Sequence, residues 1–320
     1  MSKKLISIVT PVFNEEEAIE YYYRRISNTI DSLSDRYNFE IVVTDNCSTD
    51  NSFQILQKLA QKDSRISVYK FSRNFGYQKS IWTGYSKCKG RAAIEFDVDL
   101  QDPPEMLPEM LDYWEKGYKI VYGVRKGRKE GKLINFARKI FYRLVRYMSE
   151  VDIPNDAGDF MLIDRDIINH LCQIKSQDPY LRGTIFSLGY LRKGIEYNRN
   201  ERVCGSSKFP LKRLIKLAVD GIVNTSVFPL RIATLIGLFS GFCATLLASY
   251  FVMSKLLGAD LPRGVTAILV LLLSAIAINS ILIGIIGEYI GRIYKQISSG
   301  HYVTIVEKEI KNIDRQVDKE

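Results

Sequence analysis

The sequence predicts an α/β protein, a mostly parallel sheet covered by helices on both faces, followed by a hairpin of two long apolar helices. Three observations carry this. Short apolar runs alternate with amphipathic helical patterns from Leu5 to Tyr122, the signature of βα units. Acidic residues gather where several of those runs end. Two later runs, Ile232–Met253 and Val265–Ile286, each hold 22 residues without a charge, enough to cross a hydrocarbon core of ~30 Å.

The elements follow in order. Leu5–Val12 reads as the first strand. Its lysine-flanked start resembles a secretory leader only superficially, because it contains Pro11, lacks a small-residue cleavage site and runs into Asn14-Glu15-Glu16-Glu17. Glu15–Leu33 is a predicted helix with Ile19, Tyr22, Ile26, Ile30 and Leu33 on one face. Phe39–Thr44, Ile66–Phe71, Arg91–Phe96 and Lys119–Tyr122 are the next strands, and Ser52–Gln61, Gly76–Lys87 and Glu105–Lys116 the helices beside them. Lys132–Met148 interleaves Lys132, Arg138, Lys139, Arg143 and Arg146 with apolar and aromatic residues. That pattern fits a membrane interface and equally a helix packed on its own core; the apolar runs downstream favour the interface. Lys208–Val223 is a second basic amphipathic stretch. The organisation expected is an α/β domain over 1–207, a juxtamembrane helix over 208–228, spans within 229–291 and a tail over 292–320.

Arg231 and the basic residues before it flank the first run, and Arg292 and Lys295 follow the second, whereas the link Ser254–Gly264 carries Lys255 and Arg263 against Asp260. The excess of positive charge predicts that both termini are cytoplasmic. Gly237 and Gly241, with Gly284 and Gly287, would allow close helix packing. Composition excludes other classes. Net charge is +9, yet no zinc-finger or other nucleic-acid signature occurs, so the partners expected are a membrane face and phosphates, with no nucleic acid. Five scattered cysteines without a C-x-x-C pair indicate free thiols. Two histidines leave little room for a His-based triad or zinc site.

The chemistry concentrates in Phe96-Asp97-Val98-Asp99-Leu100-Gln101-Asp102-Pro103-Pro104-Glu105. Asp97 and Asp99, leaving a strand end with Gln101 close by, offer hard oxygen ligands suited to Mg²⁺ or Mn²⁺. Acids before a Pro-Pro turn also serve as plain loop solubilisers, but the longer pattern is more specific. It resembles the metal-binding signature of family 2 glycosyltransferases of the GT-A (Rossmann-like) fold. Within that family it is most similar to the polyprenyl-phosphate glycosyltransferases, such as the bactoprenol (undecaprenyl-phosphate) glucosyltransferases and dolichol-phosphate mannose synthases.

The resemblance extends along nearly the whole chain. Thr10-Pro11-Val12-Phe13-Asn14-Glu15 is similar to the family's opening motif, which places Pro11 and Glu15 against the nucleoside. Thr44-Asp45-Asn46-Cys47-Ser48 resembles its second signature, usually two acids followed by Gly-Ser; here Asn46 replaces the second acid and Cys47 the glycine. Asp45 would accept the N3–H of a uracil ring. Phe71-Ser72-Arg73-Asn74-Phe75-Gly76 adds Arg73 to the donor side, and Gly158-Asp159-Phe160 maps a third family aspartate onto Asp159, whereas Asp156 has no firm counterpart. Arg202-Val203-Cys204-Gly205-Ser206-Ser207-Lys208 resembles the element before the membrane region. Arg202, Ser207 and Lys208, with Arg125 and Arg128 of the basic loop, are the expected holders of the acceptor phosphate.

The resemblance implies a metal-dependent, inverting transfer of a sugar, glucose first, from a UDP-sugar to undecaprenyl or another polyprenyl phosphate. Asp97, Asp99 and Gln101 would hold the metal, and Asp159 would act as base or orienting group. It implies an integral protein of a bacterial inner membrane with a cytoplasmic catalytic domain, self-association being left open. Two rivals are a processive polysaccharide synthase, which normally carries Gln-x-x-Arg-Trp and more spans, and a non-catalytic membrane adaptor retaining the fold.

Overall fold

The computed structural model describes residues 3–126, 154, 157–174, 181–198, 228–257, 264–298 and 305–311. The predicted amphipathic helices at 132–148 and 208–223 lie outside these residues, as do Asp156, Arg128, Arg202, Ser207 and Lys208. The chain divides into two compact units, one of residues 1–146, 151–209 and 301–320, the other of 147–150 and 210–300.

The first unit is built on an eight-stranded sheet in the order β7-β5-β6-β4-β1-β2-β3-β8. Strands β1 (Lys4–Val12), β2 (Tyr37–Asp45), β3 (Ile66–Phe71) and β4 (Ala92–Glu95) form its parallel centre. Helices α1 (Ile19–Asp31) and α2 (Ser52–Lys62) carry the chain outward from β1 to β3, and α3 (Tyr77–Lys87) returns it to β4 on the far side of β1. The strand order therefore reverses between β1 and β4, the place where open α/β sheets hold ligands.

Alternation along the strands fixes the layers. Ile6, Ile8 and Val12 of β1 pack with Tyr22, Ile26 and Ile30 of α1 and with Leu107, Met110 and Leu111 of α4 (Leu107–Glu115). Val9 of β1 and Val42 of β2 point the other way, toward Ile81 and Tyr85 of α3. A Cβ on Gly84 would stand 2.3 Å from Val9 Cγ1, so the missing side chain lets α3 lie close on the sheet.

Beyond β4, β5 (Ile120–Lys126) and β6 (Ala157–Asp164) pair with each other antiparallel, and β6 pairs antiparallel with β4. Helices α5 (Arg165–Gln173) and α6 (Leu181–Ser187) precede β7 (Arg192–Asn198), which lies parallel to β5. On the opposite edge, β8 (Val306–Ile310) pairs antiparallel with β3. The sequence reading contained none of β6, α5, α6, β7 and β8. β8 carries charge at its three central positions, so no apolar alternation marks it.

Other expectations shift at their boundaries. The first helix begins at Ile19, not Glu15, because residues 13–18 turn across the sheet edge and bond to the β2–α2 loop. Pro103-Pro104 starts a short 3₁₀ turn, Pro104–Met106, and the α-helix proper begins at Leu107.

In the second unit, α7 (Phe228–Leu256) and α8 (Val265–Ser298) are 29 and 34 residues long. Large apolar side chains such as Leu238, Phe239 and Ile283 are exposed on them. Over the described residues no helix is long and apolar enough to cross a membrane. Two long helices thus stand where the sequence predicts the two apolar runs.

Candidate active site

Four loops leave the carboxyl ends of the parallel strands side by side. β1 ends at Val12 opposite Asp45 of β2, and Asp45 lies opposite Lys70 of β3. The β4 strand continues into Asp97, with Phe96 N–H donating to Val9 O at 2.9 Å. Pro11, Asp45, Arg73 and Asp97 therefore belong to one sheet edge.

The amino end of β6 completes the site from the other direction. Its register on β4 runs Ala92–Asp164, Ala93–Ile163 and Ile94–Leu162. Continued outward, it sets Glu95 opposite Met161, Phe96 opposite Phe160 and Asp97 opposite Asp159. The rings of Phe96 and Phe160, 4.9 Å apart, support that continuation. Antiparallel pairing thus brings together two aspartates far apart in sequence.

Hydrogen bonds stitch the loops. Asn14 N–H donates to Ser48 Oγ at 3.0 Å, and Asn14 Oδ1 accepts from Thr49 N–H at 2.8 Å. Glu15 N–H donates to Ser52 Oγ at 2.9 Å and Glu16 N–H to Asp50 Oδ2 at 3.2 Å. Asp50 Oδ1 accepts from Ser52 N–H at 2.9 Å at the start of α2, as an Asx turn should. Asn46 Nδ2 donates to Asn74 Oδ1 at 3.0 Å, and Asn46 Oδ1 accepts from Phe75 N–H at 2.8 Å. A carboxylate at position 46 could not make that donation. The loop so held carries Arg73, exposed, with its guanidinium 4.3 Å from the Phe75 ring centroid.

Backbone strain gathers at the same edge. Among the described residues, the non-glycine residues with positive φ are Asn14 at 54°, Cys47 at 62° and Leu100 at 50°. Asparagine tolerates this region; cysteine and leucine do so at a cost. Leu100 turns the Asp97–Asp102 loop and leaves Gln101 N–H donating to Asp99 Oδ1 at 3.2 Å. The backbone of Gln101 thus orients Asp99, a contribution separate from the amide-oxygen ligand expected of its side chain.

The electrostatics are those of crowded carboxylates. Asp45 is fully buried; Oδ1 accepts from Ser48 N–H at 3.2 Å, and Oδ2 has no hydrogen-bond partner among the described residues. Burial pushes its carboxyl above the usual range, against the Ser48 hydrogen bonds. Glu95 is also buried and is held well above the carboxylate range by burial and by Asp97, Asp159 and Asp102. Burial and the neighbouring Asp99 push Asp97 up to about 7. The Tyr77 hydroxyl, kept protonated by burial and by Glu95 and Asp97, donates to Asp97 Oδ1 at 3.0 Å.

This donor set fits a hard divalent cation. Asp97 and Asp99 supply oxygens, and the surrounding negative charge calls for a counter-charge. Among the described residues no group of three or more His, Cys, Asp or Glu could hold a metal ion, so two carboxylates would have to be completed by other ligands.

The expected cations separate. Arg125, on β5, is partly buried: Nη2 lies 3.7 Å from Asp102 Oδ2, and Nε donates to Tyr197 Oη at 3.2 Å. Tyr197 in turn donates to Asp102 through a short hydrogen bond. Gly158 leaves room for this guanidinium, since a Cβ there would stand 3.1 Å from Arg125 Nη2. Tyr77, Glu95 and Arg182, the last 3.2 Å from Asp159 Oδ2 through Nη2, were not singled out in the sequence. Glu95, the polar end of an otherwise apolar strand, was the available signal.

Residues 7–172 match glycosyl transferase family 2. The chain belongs to that family. An uncharacterized glycosyltransferase of Bacillus subtilis, YkcC, is 38% identical over 294 residues, 91% of this chain and 90% of that protein. The SfII prophage-derived bactoprenol glucosyl transferase of Shigella flexneri is 35% identical over 92% of this chain and 95% of its own length. A prophage bactoprenol glucosyl transferase homolog of Escherichia coli K12 is 35% identical over 90% and 94%. The chain is similar to a solved mannosyltransferase of Pyrobaculum calidifontis, in complex with GDP-Man and Mn²⁺, over 91% of this chain and 88% of that one at 15% identity and a TM-score of 0.47.

Membership of family 2 makes the Cys47 departure testable. The left-handed backbone at φ 62° explains why glycine suits this position. Cys47→Gly should stabilise the protein by about 0.5–1 kcal/mol, the relief of an αL side chain less the added freedom of the unfolded chain. A melting midpoint unchanged or lowered would show that the Cys47 contact with Ser72 O, 3.8 Å, outweighs the strain.

A second outcome follows from Asp97. A carboxyl whose folded pKa is raised binds a proton that the unfolded chain has released, so stability falls as pH rises from the unfolded value toward about 7. In chelator, Asp97→Asn should therefore melt higher than the parent at pH 8, the difference shrinking toward pH 4. Equal midpoints across that window would contradict the crowded-carboxylate picture.

Proposed function

We propose that the protein transfers a sugar, glucose first among the candidates, from a UDP-sugar to a polyprenyl phosphate with inversion at the anomeric carbon. The observation that supports this reading is the approach of β6 to the end of β4, whose antiparallel register, continued past Ile94–Leu162, brings Asp159 level with Asp97. It is supported by relatives named bactoprenol glucosyl transferases that are 35% identical over nearly the full chain.

The donor end follows from the loops. Asp45 Oδ2, buried without a hydrogen-bond partner among the described residues, suits the N3–H of a uracil ring, which presents a donor between two carbonyl oxygens. Pro11 and Glu15 flank that position on the neighbouring strand and loop. Asp97 and Asp99 would hold Mg²⁺ or Mn²⁺, which would neutralise the diphosphate as the sugar–phosphate bond breaks. Water and diphosphate oxygens would complete the two-carboxylate set.

The acceptor end follows from β6. Attack opposite the leaving diphosphate inverts the anomeric centre. A phosphate monoester has a second pKa near ~6, so the nucleophile is largely ionised and needs positioning more than deprotonation. In this reading Asp159 is an orienting group. Asp102, Tyr197 and Arg125 form a satisfied buried unit that stiffens the β5–β6 wall. A lipid acceptor stays in its bilayer, so we further propose that α7 and α8 cross it as a hairpin with both termini cytoplasmic. The uncharged 22-residue runs within them and the flanking Arg231, Arg292 and Lys295 support this.

The test is transfer from a panel of UDP-sugars to undecaprenyl phosphate by the full chain in detergent or nanodiscs. UDP-glucose should be used and EDTA should abolish turnover, with rescue by Mg²⁺ or Mn²⁺. Asp99→Ala should lose about a thousandfold or more, the several kcal/mol that a metal supplies. Full activity in EDTA would end the metal assignment. Topology is read separately: a cysteine placed within 254–264 should label from outside intact cells, and one placed beyond Arg292 should not. Equal labelling of both would overturn the hairpin.

A further inference from the structure

We propose that Arg182 is a ligand of the acceptor phosphate, held in position by Asp159; this rests on the polyprenyl-phosphate reading above. Arg182 Nη2 lies 3.2 Å from Asp159 Oδ2, with the two side chains 29% and 21% exposed. The pair therefore stands at the open margin of the site and not within its core. The β4–β6 register, continued past its last pair Ile94–Leu162, brings Asp159 level with Asp97, so the pair borders the carboxylates of the donor side.

Charge makes a cation necessary there. Glu95, Asp97, Asp102 and Asp159 act on one another electrostatically, and a phosphate monoester would add ~1.5–2 negative charges. Two arginines are described beside these acids: Arg125 meets Asp102 and Tyr197, and Arg182 meets Asp159. Arg182 is the one at the open margin. A guanidinium carries five N–H donors in a planar fork, enough to hold a carboxylate on one edge and a phosphate on another.

The fold also fixes Arg182 in the frame of the donor site. Leu181 N–H donates to Gln78 Oε1 at 3.1 Å, and Gln78 follows Tyr77, whose hydroxyl donates to Asp97. Leu181, Ile185 and Phe186 anchor α6 in the core, Phe186 packing edge-on against Tyr122 at 5.2 Å. The first turns of α3 and α6 thus tie the carboxylate of the donor side to the cation of the acceptor side.

The experiment uses the full chain with UDP-glucose and undecaprenyl phosphate, comparing Arg182→Gln, Arg182→Lys and Asp159→Asn. Three quantities are read: acceptor KM and kcat, UDP affinity by calorimetry with Mn²⁺, and slow donor hydrolysis without lipid. Arg182→Gln should raise acceptor KM roughly ten- to a hundredfold, the worth of a charge-assisted hydrogen bond. UDP affinity and donor hydrolysis should stay within about twofold, since neither involves the acceptor. Asp159→Asn should raise acceptor KM in the same direction, because the guanidinium loses its orienting partner. Should Arg182→Gln fail to fold, Arg182→Lys keeps the charge, loses the fork and should still raise acceptor KM. An unchanged acceptor KM, or UDP affinity falling in step with it, would overturn the proposal. A parent protein that hydrolyses UDP-glucose yet transfers to no polyprenyl phosphate would instead sink the functional reading, and this inference with it.

Discussion

The antiparallel pairing of β6 on β4 is the constraint on which the site depends. β4 alone would deliver Asp97 and Asp99 to a sheet edge, as many α/β proteins deliver a ligand pair. β6 runs the other way, so its first residues reach the level where β4 ends. Phe96 against Phe160, and Phe160 against Tyr197 with ring centroids 5.8 Å apart, form the apolar floor. Aromatic pairs of this kind are worth about 0.5–1.5 kcal/mol beyond their burial. That floor keeps the strands in register, and the register sets Asp159 against Asp97. A slip of one residue would turn Asp159 to the other face.

Once several carboxylates share one edge, the rest of the neighbourhood is arranged to tolerate them. Three neutral donors are aimed at acids: Tyr77 at Asp97, Tyr197 at Asp102, Ser48 N–H at Asp45. These partners lower the cost of burying charge without cancelling it, as the elevated Asp45, Glu95 and Asp97 carboxyls show. Left-handed backbone at Asn14, Cys47 and Leu100 belongs to the same economy. Strain persists where surrounding bonds over-determine it, and two of these loops are bonded directly to each other through Asn14, Ser48 and Thr49.

What the sequence revealed follows local physics. The parallel strands are legible because both faces are covered, giving short continuous apolar runs such as Ile41-Val42-Val43. The helices between them kept a 3.6-residue stripe. The Asp97–Pro104 loop was legible because hard ligands and two prolines sit at fixed offsets from a strand end. The sequence predicts the first helix four residues early because Glu15-Glu16-Glu17 resembles a favourable first turn; the acids serve a loop instead. β6 escaped because Gly158 and Asp159 open it, and a site motif was recognised where a strand begins. The sequence suggests a basic loop for Arg125, and it does not reveal that Arg125 lies on β5, that Gly158 opens room beside it or that Asp102 and Tyr197 meet it there. Arg182 escaped because nothing local marks it: its meaning comes from Asp159, which the fold brings across from another element.

The least legible element matters to the donor side as much as any motif does. β8 comes after the long helices and returns to pair with β3, so the sheet is closed by residues far along the chain. Ser72 N–H donates to Ile305 O at 3.1 Å just beyond that pairing. The loop bearing Arg73 is therefore held twice, by Asn46 toward the sheet centre and by Ile305 toward its edge. Lys308, 6.0 Å from the Phe53 ring centroid, and Lys311, 5.7 Å from that of Tyr69, lay their charges over aromatic faces. A charged strand can thus cover an apolar edge without burying its ammonium groups. It also blocks the β3 edge from pairing with another chain. The segment after α8 is consequently part of the sheet that carries the donor loops, and the shape of the Arg73 loop depends on residues that motif reading assigns to a tail.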